Sequence, residues 1–204
     1  MPEITFDDSN HIYRVDGEVK LSVTQVIEAN GMYPEFGKSE SAARFGTIGH
    51  KIIAMMFSGT LAGYDPAFEP WMIGIRKFFE EQHPNGMFWE KMKYSEKHDF
   101  IGTLDFAGNI EAFKNRACIL DWKFWAAAQK LLLTLAGWQT AGYNLLFSGP
   151  VSIPRAVVHF YPEGYTIHPL HDPLDSVAFL SCLNVAKLKM KMGIYKPKGV
   201  SDDN

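Results

Sequence analysis

"ACILDWKFW" (residues 117–125) is an apolar, strand-like run that carries an acid, Asp121, and a base, Lys123. Strand side chains alternate with a period of two, so Asp121 and Lys123 share one face while Leu120, Trp122 and Phe124 share the other. Two earlier runs, "FWEKMKYSE" (88–96) and "FIGTLDFAG" (100–108), also read as strands. Short polar links join the three, so neighbours are expected to be antiparallel. Asp105 should lie on the face of Thr103, with Leu104 and Phe106 turned into packing. If the second and third strands pair, Asp105 and Asp121 converge.

The rest of the chain supplies helices around these strands. "ITFDDSNHIYRVDG" (4–17) alternates and ends on Asp-Gly, which predicts a small hairpin. "SVTQVIEANG" (22–31) starts on a serine cap and stops at glycine, the pattern of a short helix. "MYPEFGKSES" (32–41) reads as a loop. From Ser41, apolar residues fall at helical spacing until "SGT" (58–60). A second helix is expected over 70–82, stopped by "HPNG" (83–86). A long helix should cover 128–147, a strand pair 155–162 and 165–170, and a last helix 175–192. This order predicts an α/β (α+β) fold, a central mixed sheet flanked by helices, and not a repeating βαβ unit. The length fits a single domain over 1–204, with an N-terminal hairpin and helix extension (about 1–40) and a lysine-rich tail (about 187–204).

Bulk properties exclude several classes. The net charge is −3, so a nucleic-acid partner would need a local basic surface. Cys118 and Cys182 are the only cysteines, which makes neither a disulfide framework nor a zinc motif. The N-terminus lacks an apolar signal region, and "LLLTLAGW" (131–138) is too short for a membrane span, so an intracellular protein with no membrane partner is expected. There is no phosphate-binding G-x-x-x-x-G-K-[ST] loop, so no nucleotide cofactor is expected.

Two nearby carboxylates in a poorly solvated place repel, and a divalent cation removes that cost. Mg²⁺ suits such a pair, being a hard ion that takes oxygen ligands and keeps several waters. A lone D-x-K triplet is common as an ordinary ion pair. What distinguishes this one is its company. "RFGTIGHKII" (44–53) places His50 on or near the apolar side of a helix, with Arg44 and Lys51 close in sequence. "WEKMKYSEKHDFIGTLDF" (89–106) carries Glu90, then G-T-L-D. "WQTAGYNLLF" (138–147) puts Gln139 and Tyr143 four apart on one helix face. "KLKMKMGIYKPKG" (187–199) has five lysines and no acid, either a solvated helix end or a phosphate-contacting segment. Phe124 and Trp125 could stack on bases or belong to the core. His159, His168 and His171 lack a metal-binding spacing and read as polar strand and loop residues.

The order G-x-x-x-H, E, G-T-x-D, D-W-K, Q-x-x-x-Y resembles the PD-(D/E)XK nuclease superfamily in its RecB-like, phage-type exonuclease branch. "HIYRVDG" and "LSVTQVIEANG" (within 11–31) are similar to the lead-in of such exonucleases, and the likeness spans about two thirds of the chain. Leu104 stands where many members have proline, and the four-cysteine set of iron–sulfur members is missing. The resemblance implies a restriction-endonuclease-like core and a Mg²⁺- or Mn²⁺-dependent deoxyribonuclease without an iron–sulfur cluster. His50, Asp105, Asp121 and the Trp122 backbone carbonyl would ligate metal, and Lys123 would orient or activate water. Glu90 stays open between a further metal-site contact and a plain surface charge. Gln139 and Tyr143 would brace the site or touch the nucleic acid, with Arg44 and Lys51 as further phosphate contacts. The implied activity is exonucleolytic cleavage of single-stranded DNA or duplex ends in recombination, replication or repair. A recombination or single-strand-binding protein would be a partner, and a phage or prophage origin would fit. The alternatives are a structure-specific endonuclease on the same core, or a non-catalytic nucleic-acid-binding subunit of a recombination complex.

Overall fold

The chain begins with a three-stranded meander: Ile4–Asp7 (β1), Ile12–Val15 (β2) and Glu18–Lys20 (β3), paired antiparallel in that order. Asp16 and Gly17 both have positive φ, 51° and 83°, which is the tight hairpin turn that Asp-Gly favours. The sequence pattern pointed to a single hairpin ending at that dipeptide. Asp-Gly instead turns the chain into the third strand. The computed structural model describes residues 2–8, 10–33, 40–147 and 152–197, with the side chains of 40–43 excepted. Lys198 and the rest of the lysine-rich tail to 204 lie outside the described residues.

Val23–Glu28 (α1) is set by a capping box: the Gln25 N–H donates to Ser22 Oγ at 3.2 Å and the Ser22 N–H to Gln25 Oε1 at 3.0 Å. Glu40–Ser58 (α2) and Glu69–Gln82 (α3) follow. α3 ends at His83, whose left-handed φ of 43° redirects the chain. The next strand starts at once, so Asn85 and Gly86, expected only as a stop, are the first residues of Asn85–Ser95 (β4). Phe100–Asn109 (β5), Ala117–Lys123 (β6), Arg155–Tyr161 (β7) and Gly164–Leu170 (β8) complete a five-stranded sheet in the order β4-β5-β6-β7-β8. All neighbours are antiparallel except β6 and β7, which are parallel. A parallel pair needs a long crossover, and Lys130–Phe147 (α4) provides it. Asp175–Lys191 (α5) packs against α4 and α1.

The sheet has a packed layer on each side. Ile52, Ile53, Met72, Ile75 and Phe78 from α2 and α3 meet Phe106, Leu120, Trp122, Val158 and Phe160. On the other side Val23, Val26, Tyr143, Leu146, Phe179 and Leu183 from α1, α4 and α5 meet Phe100, Leu104, Ala107 and Ile119. Tyr13 and Val15 of the meander cover Ile101. The alternation expected for β6 holds, with Leu120 and Trp122 on the α2 side and Asp121 and Lys123 turned to α4.

β5 departs from alternation. Leu104 packs on the α4 side and Phe106 on the α2 side, so the expectation that both turn into one packing face is corrected. Two residues of like parity sit on opposite faces only if the alternation changes phase between them. The partner strand changes phase at the same level. Trp89, paired with Phe106, stacks on Phe57 of α2, whereas Lys93, paired with Gly102, lies over Phe147 at the end of α4. Between them Glu90 has a φ of 46°, a left-handed value that costs a non-glycine residue about 1–2 kcal/mol. Because both strands slip together, their register is the same before and after Glu90.

One glycine decides how closely α2 approaches the sheet. A Cβ on Gly49 would stand 2.2 Å from the Phe124 ring, whereas one on Gly46 would meet nothing within 4 Å among the described residues. Gly49→Ala should therefore cost about 1–3 kcal/mol by overpacking. Gly46→Ala in the same helix should gain about 0.5–1 kcal/mol from helix propensity. Urea unfolding of the two variants checks this; equal effects would refute the tight contact.

Candidate metal centre

The β5–β6 ladder stops at Phe106–Leu120. Continuing the register would place Asp121 opposite Asp105 and pair Trp122 with Leu104. The Trp122 N–H instead donates to Asp105 Oδ2 at 2.8 Å. A side-chain carboxylate has replaced a backbone carbonyl as acceptor, and the two strands part around it. In extended backbone the N–H and C=O of a residue face the same side, so the Trp122 carbonyl also faces the gap.

His50 of α2 reaches this gap. Its Nδ1 lies 3.4 Å from Asp105 Oδ1. Glu90, opposite Asp105 on β4, completes the group: His50, Glu90 and Asp105 each offer a ligand atom, all within 4.8 Å of one another. These three residues can hold a metal ion. The phase change in β4 and β5 is what turns both carboxylates toward the helix that carries the histidine. Glu90, which the sequence left open, belongs to the cluster.

Asp121 and Lys123 occupy the α4 side. Lys123 Nζ is 2.6 Å from Asp121 Oδ2. Asp121 is 1% exposed, so this close ion pair is sealed from water, and its Oδ1 has no hydrogen-bond partner among the described residues. Lys123 Nζ donates to Gln139 Oε1 at 3.1 Å, and Gln139 Nε2 donates to the Tyr143 hydroxyl at 3.1 Å. The i, i+4 pair on α4 is thus a brace for the lysine, buried on both members. Arg44 and Lys51 are exposed on α2.

The electrostatics follow from burial and crowding. Burial alone would raise Asp105, but His50, Lys123 and the Trp122 N–H outweigh it and hold its carboxyl below the usual range. Burial pushes Asp121 up to about 6 against the pull of Lys123, with Asp105 adding to the rise. Glu90 as a residue is exposed, but its carboxyl is turned into the cluster, where loss of water and then the Asp105 charge push it up to about 7. Burial pulls His50 down, yet Asp105 prevails and the net shift is upward. Burial likewise opposes the charge on Lys123, but Asp121 and Asp105 raise it and keep it cationic. Two carboxyls raised beside a cation-sized cluster mark an unbalanced negative charge.

Two tyrosines join the site that sequence reasoning did not select. The Tyr13 hydroxyl and Thr103 Oγ1 are 3.0 Å apart, which ties the meander to the strand that carries Asp105. Tyr33 is pushed up to about 12 by burial, with Lys123 opposing and Asp121 adding. Neither had a local signal, since their partners are far along the chain. Other candidates take structural places. Phe124 packs against the α2–α3 core, and the Trp125 carbonyl lies 2.9 Å from His159 Nε2. The His159 and His168 rings are 6.1 Å apart. Lys187 donates to the His98 carbonyl at 2.7 Å and Lys189 to the Ala29 carbonyl at 2.6 Å. Those two tail lysines therefore dock α5 onto the rest of the fold.

No family model and no curated protein matches the chain. Among solved structures it is similar to the crystal structure of SSO0001, with 13% identity, 89% of this chain and 87% of that chain covered, and a TM-score of 0.50. At that identity the likeness concerns the fold, a mixed sheet between helices. Among the described residues no helix is long and apolar enough to cross a membrane.

The raised Glu90 carboxyl gives a signed pH test. Its value in the fold exceeds the ordinary 4.5, so its protonated form is favoured. That contribution is present below about pH 4.5 and is lost as pH rises through about 7. Without metal, Glu90→Gln should match the parent in thermal stability near pH 5 and exceed it near pH 8. Added Mg²⁺ should reverse the order at the higher pH, because only the parent keeps the ligand. A difference independent of pH would count against the crowded-carboxylate account.

Proposed function

We propose that the chain is a divalent-metal-dependent nuclease of the PD-(D/E)XK kind with a restriction-endonuclease-like core, acting on DNA as an exonuclease of phage-type recombination, replication or repair. The observation that carries this reading is the convergence of His50, Glu90 and Asp105 within ligand distance of one another, beside a buried Asp121–Lys123 pair. A bound Mg²⁺ or Mn²⁺ would lower the pKa of a coordinated water and polarise a phosphate oxygen.

The chain's own residues would then act as follows. His50, Glu90 and Asp105 offer one nitrogen and two carboxylates, a mixed set that Mg²⁺ accepts and Mn²⁺ favours. Asp121 would contribute from the other side of the gap the oxygen that Lys123 does not contact, Oδ1. Lys123 stays charged and is fixed by Gln139, which is in turn fixed by Tyr143. An ammonium held this way can orient an attacking water and balance charge on the scissile phosphate. Buried Gln139 and Tyr143 would act through the lysine, and Arg44 and Lys51, exposed on α2, would be the phosphate contacts.

End-labelled linear and circular DNA, single- and double-stranded, incubated with Mg²⁺, Mn²⁺ or EDTA, tests the proposal. Linear substrates should be degraded with either metal, EDTA should abolish it, and circles should survive. Lys123→Ala should lower the rate by about 10²–10³-fold, the loss typical of one electrostatic donor. Full activity in Lys123→Ala or Asp121→Ala would refute the assignment, and cleavage of circles would turn it to an endonuclease.

A further inference from the structure

We infer that Trp89 is a stacking platform for an unpaired base, so that the site engages a single strand of nucleic acid. The inference rests on the nuclease reading and adds the form of its substrate. Trp89 is on the edge strand β4, immediately before the candidate ligand Glu90, and faces α2, the helix that carries His50. Its ring stacks on Phe57, with centroids 5.7 Å apart and planes 19° off parallel, and it remains 37% exposed. Phe57 packs against the α2–α3 core and its ring also meets Phe106 at 5.3 Å, so the platform is supported from below. A half-open indole backed by a half-buried ring gives a base a rigid surface at little entropic cost.

Charge agrees with that occupant. The cluster ligand His50 is followed directly on α2 by an exposed lysine, Lys51. Lys51 is in no ion pair among the described residues, so its charge is available to a phosphate of the same strand. In a duplex both faces of an interior base are covered by its neighbours. A base can stack on Trp89 only if it is unpaired or at an end. The exposed Met87 and Phe88 extend the same edge, and a pairing strand from a protein is the competing occupant of such an edge.

The test uses oligothymidine and a duplex of equal length, each titrated by tryptophan fluorescence in EDTA so that no cleavage intervenes. Oligothymidine should quench the emission and bind more tightly than the duplex. Trp89→Ala should weaken oligothymidine binding by about 5- to 150-fold, the range of one base–aromatic stack, and Trp89→Phe should recover most of it. Lys51→Ala leaves the platform intact and should reduce the salt dependence by about 0.7 in log–log slope, for one single-strand contact. Unchanged binding in Trp89→Ala, or equal affinity for the duplex, overturns the inference. So does self-association through β4 that competes with oligothymidine. Metal-dependent cleavage that ignores Trp89→Ala would leave the nuclease reading standing and sink this one. Trp89-dependent binding without cleavage would do the reverse.

Discussion

A single hydrogen bond opens the sheet where the chemistry would take place. The Trp122 amide gives its proton to the Asp105 carboxylate and not to a strand carbonyl. That exchange ends the β5–β6 ladder after Phe106–Leu120. It also fixes one oxygen of Asp105 and leaves the other toward His50. The synchronous phase change of β4 and β5 completes the arrangement. It sends Glu90 to the same side and keeps the register of the pair. The left-handed Glu90 backbone stores a modest strain, which the 11-residue strand on either side holds in place.

The site is divided between the two faces of one sheet. On the α2 side are the three candidate ligands, Glu90 and Asp105 from the strands and His50 from a helix whose close approach needs residue 49 to lack a side chain. On the α4 side is the lysine with its brace. Asp121 lies between, with its negative charge answered by Lys123 alone at close range. In the proposed nuclease reading, such a division would let a cation and an ammonium act on one phosphate from two directions.

Much of this was legible in the chain. Alternation in "ACILDWKFW" placed Asp121 and Lys123 together and Trp122 in the core, as observed. The i, i+4 rule paired Gln139 with Tyr143. Element order and the antiparallel β4–β5–β6 run also followed from pattern and link length. The failures share a cause. Period-two reasoning assumes an unbroken strand, so it put Leu104 and Phe106 on one face and could not decide on Glu90. The glycine that matters sterically is Gly49, which the G-x-x-x-H spacing passes over in favour of Gly46. Tyr13, Tyr33 and the docking roles of Lys187 and Lys189 depend on contacts far apart in sequence, which no local pattern records.

The central claim is that His50, Glu90 and Asp105 form one divalent-cation site. Mn²⁺ binding followed by electron paramagnetic resonance tests it without reference to activity. The account predicts saturable binding to the parent protein, lost in Asp105→Asn and strongly weakened in His50→Ala. Binding that survives Asp105→Asn at full affinity, or no binding to the parent near pH 8, would contradict it.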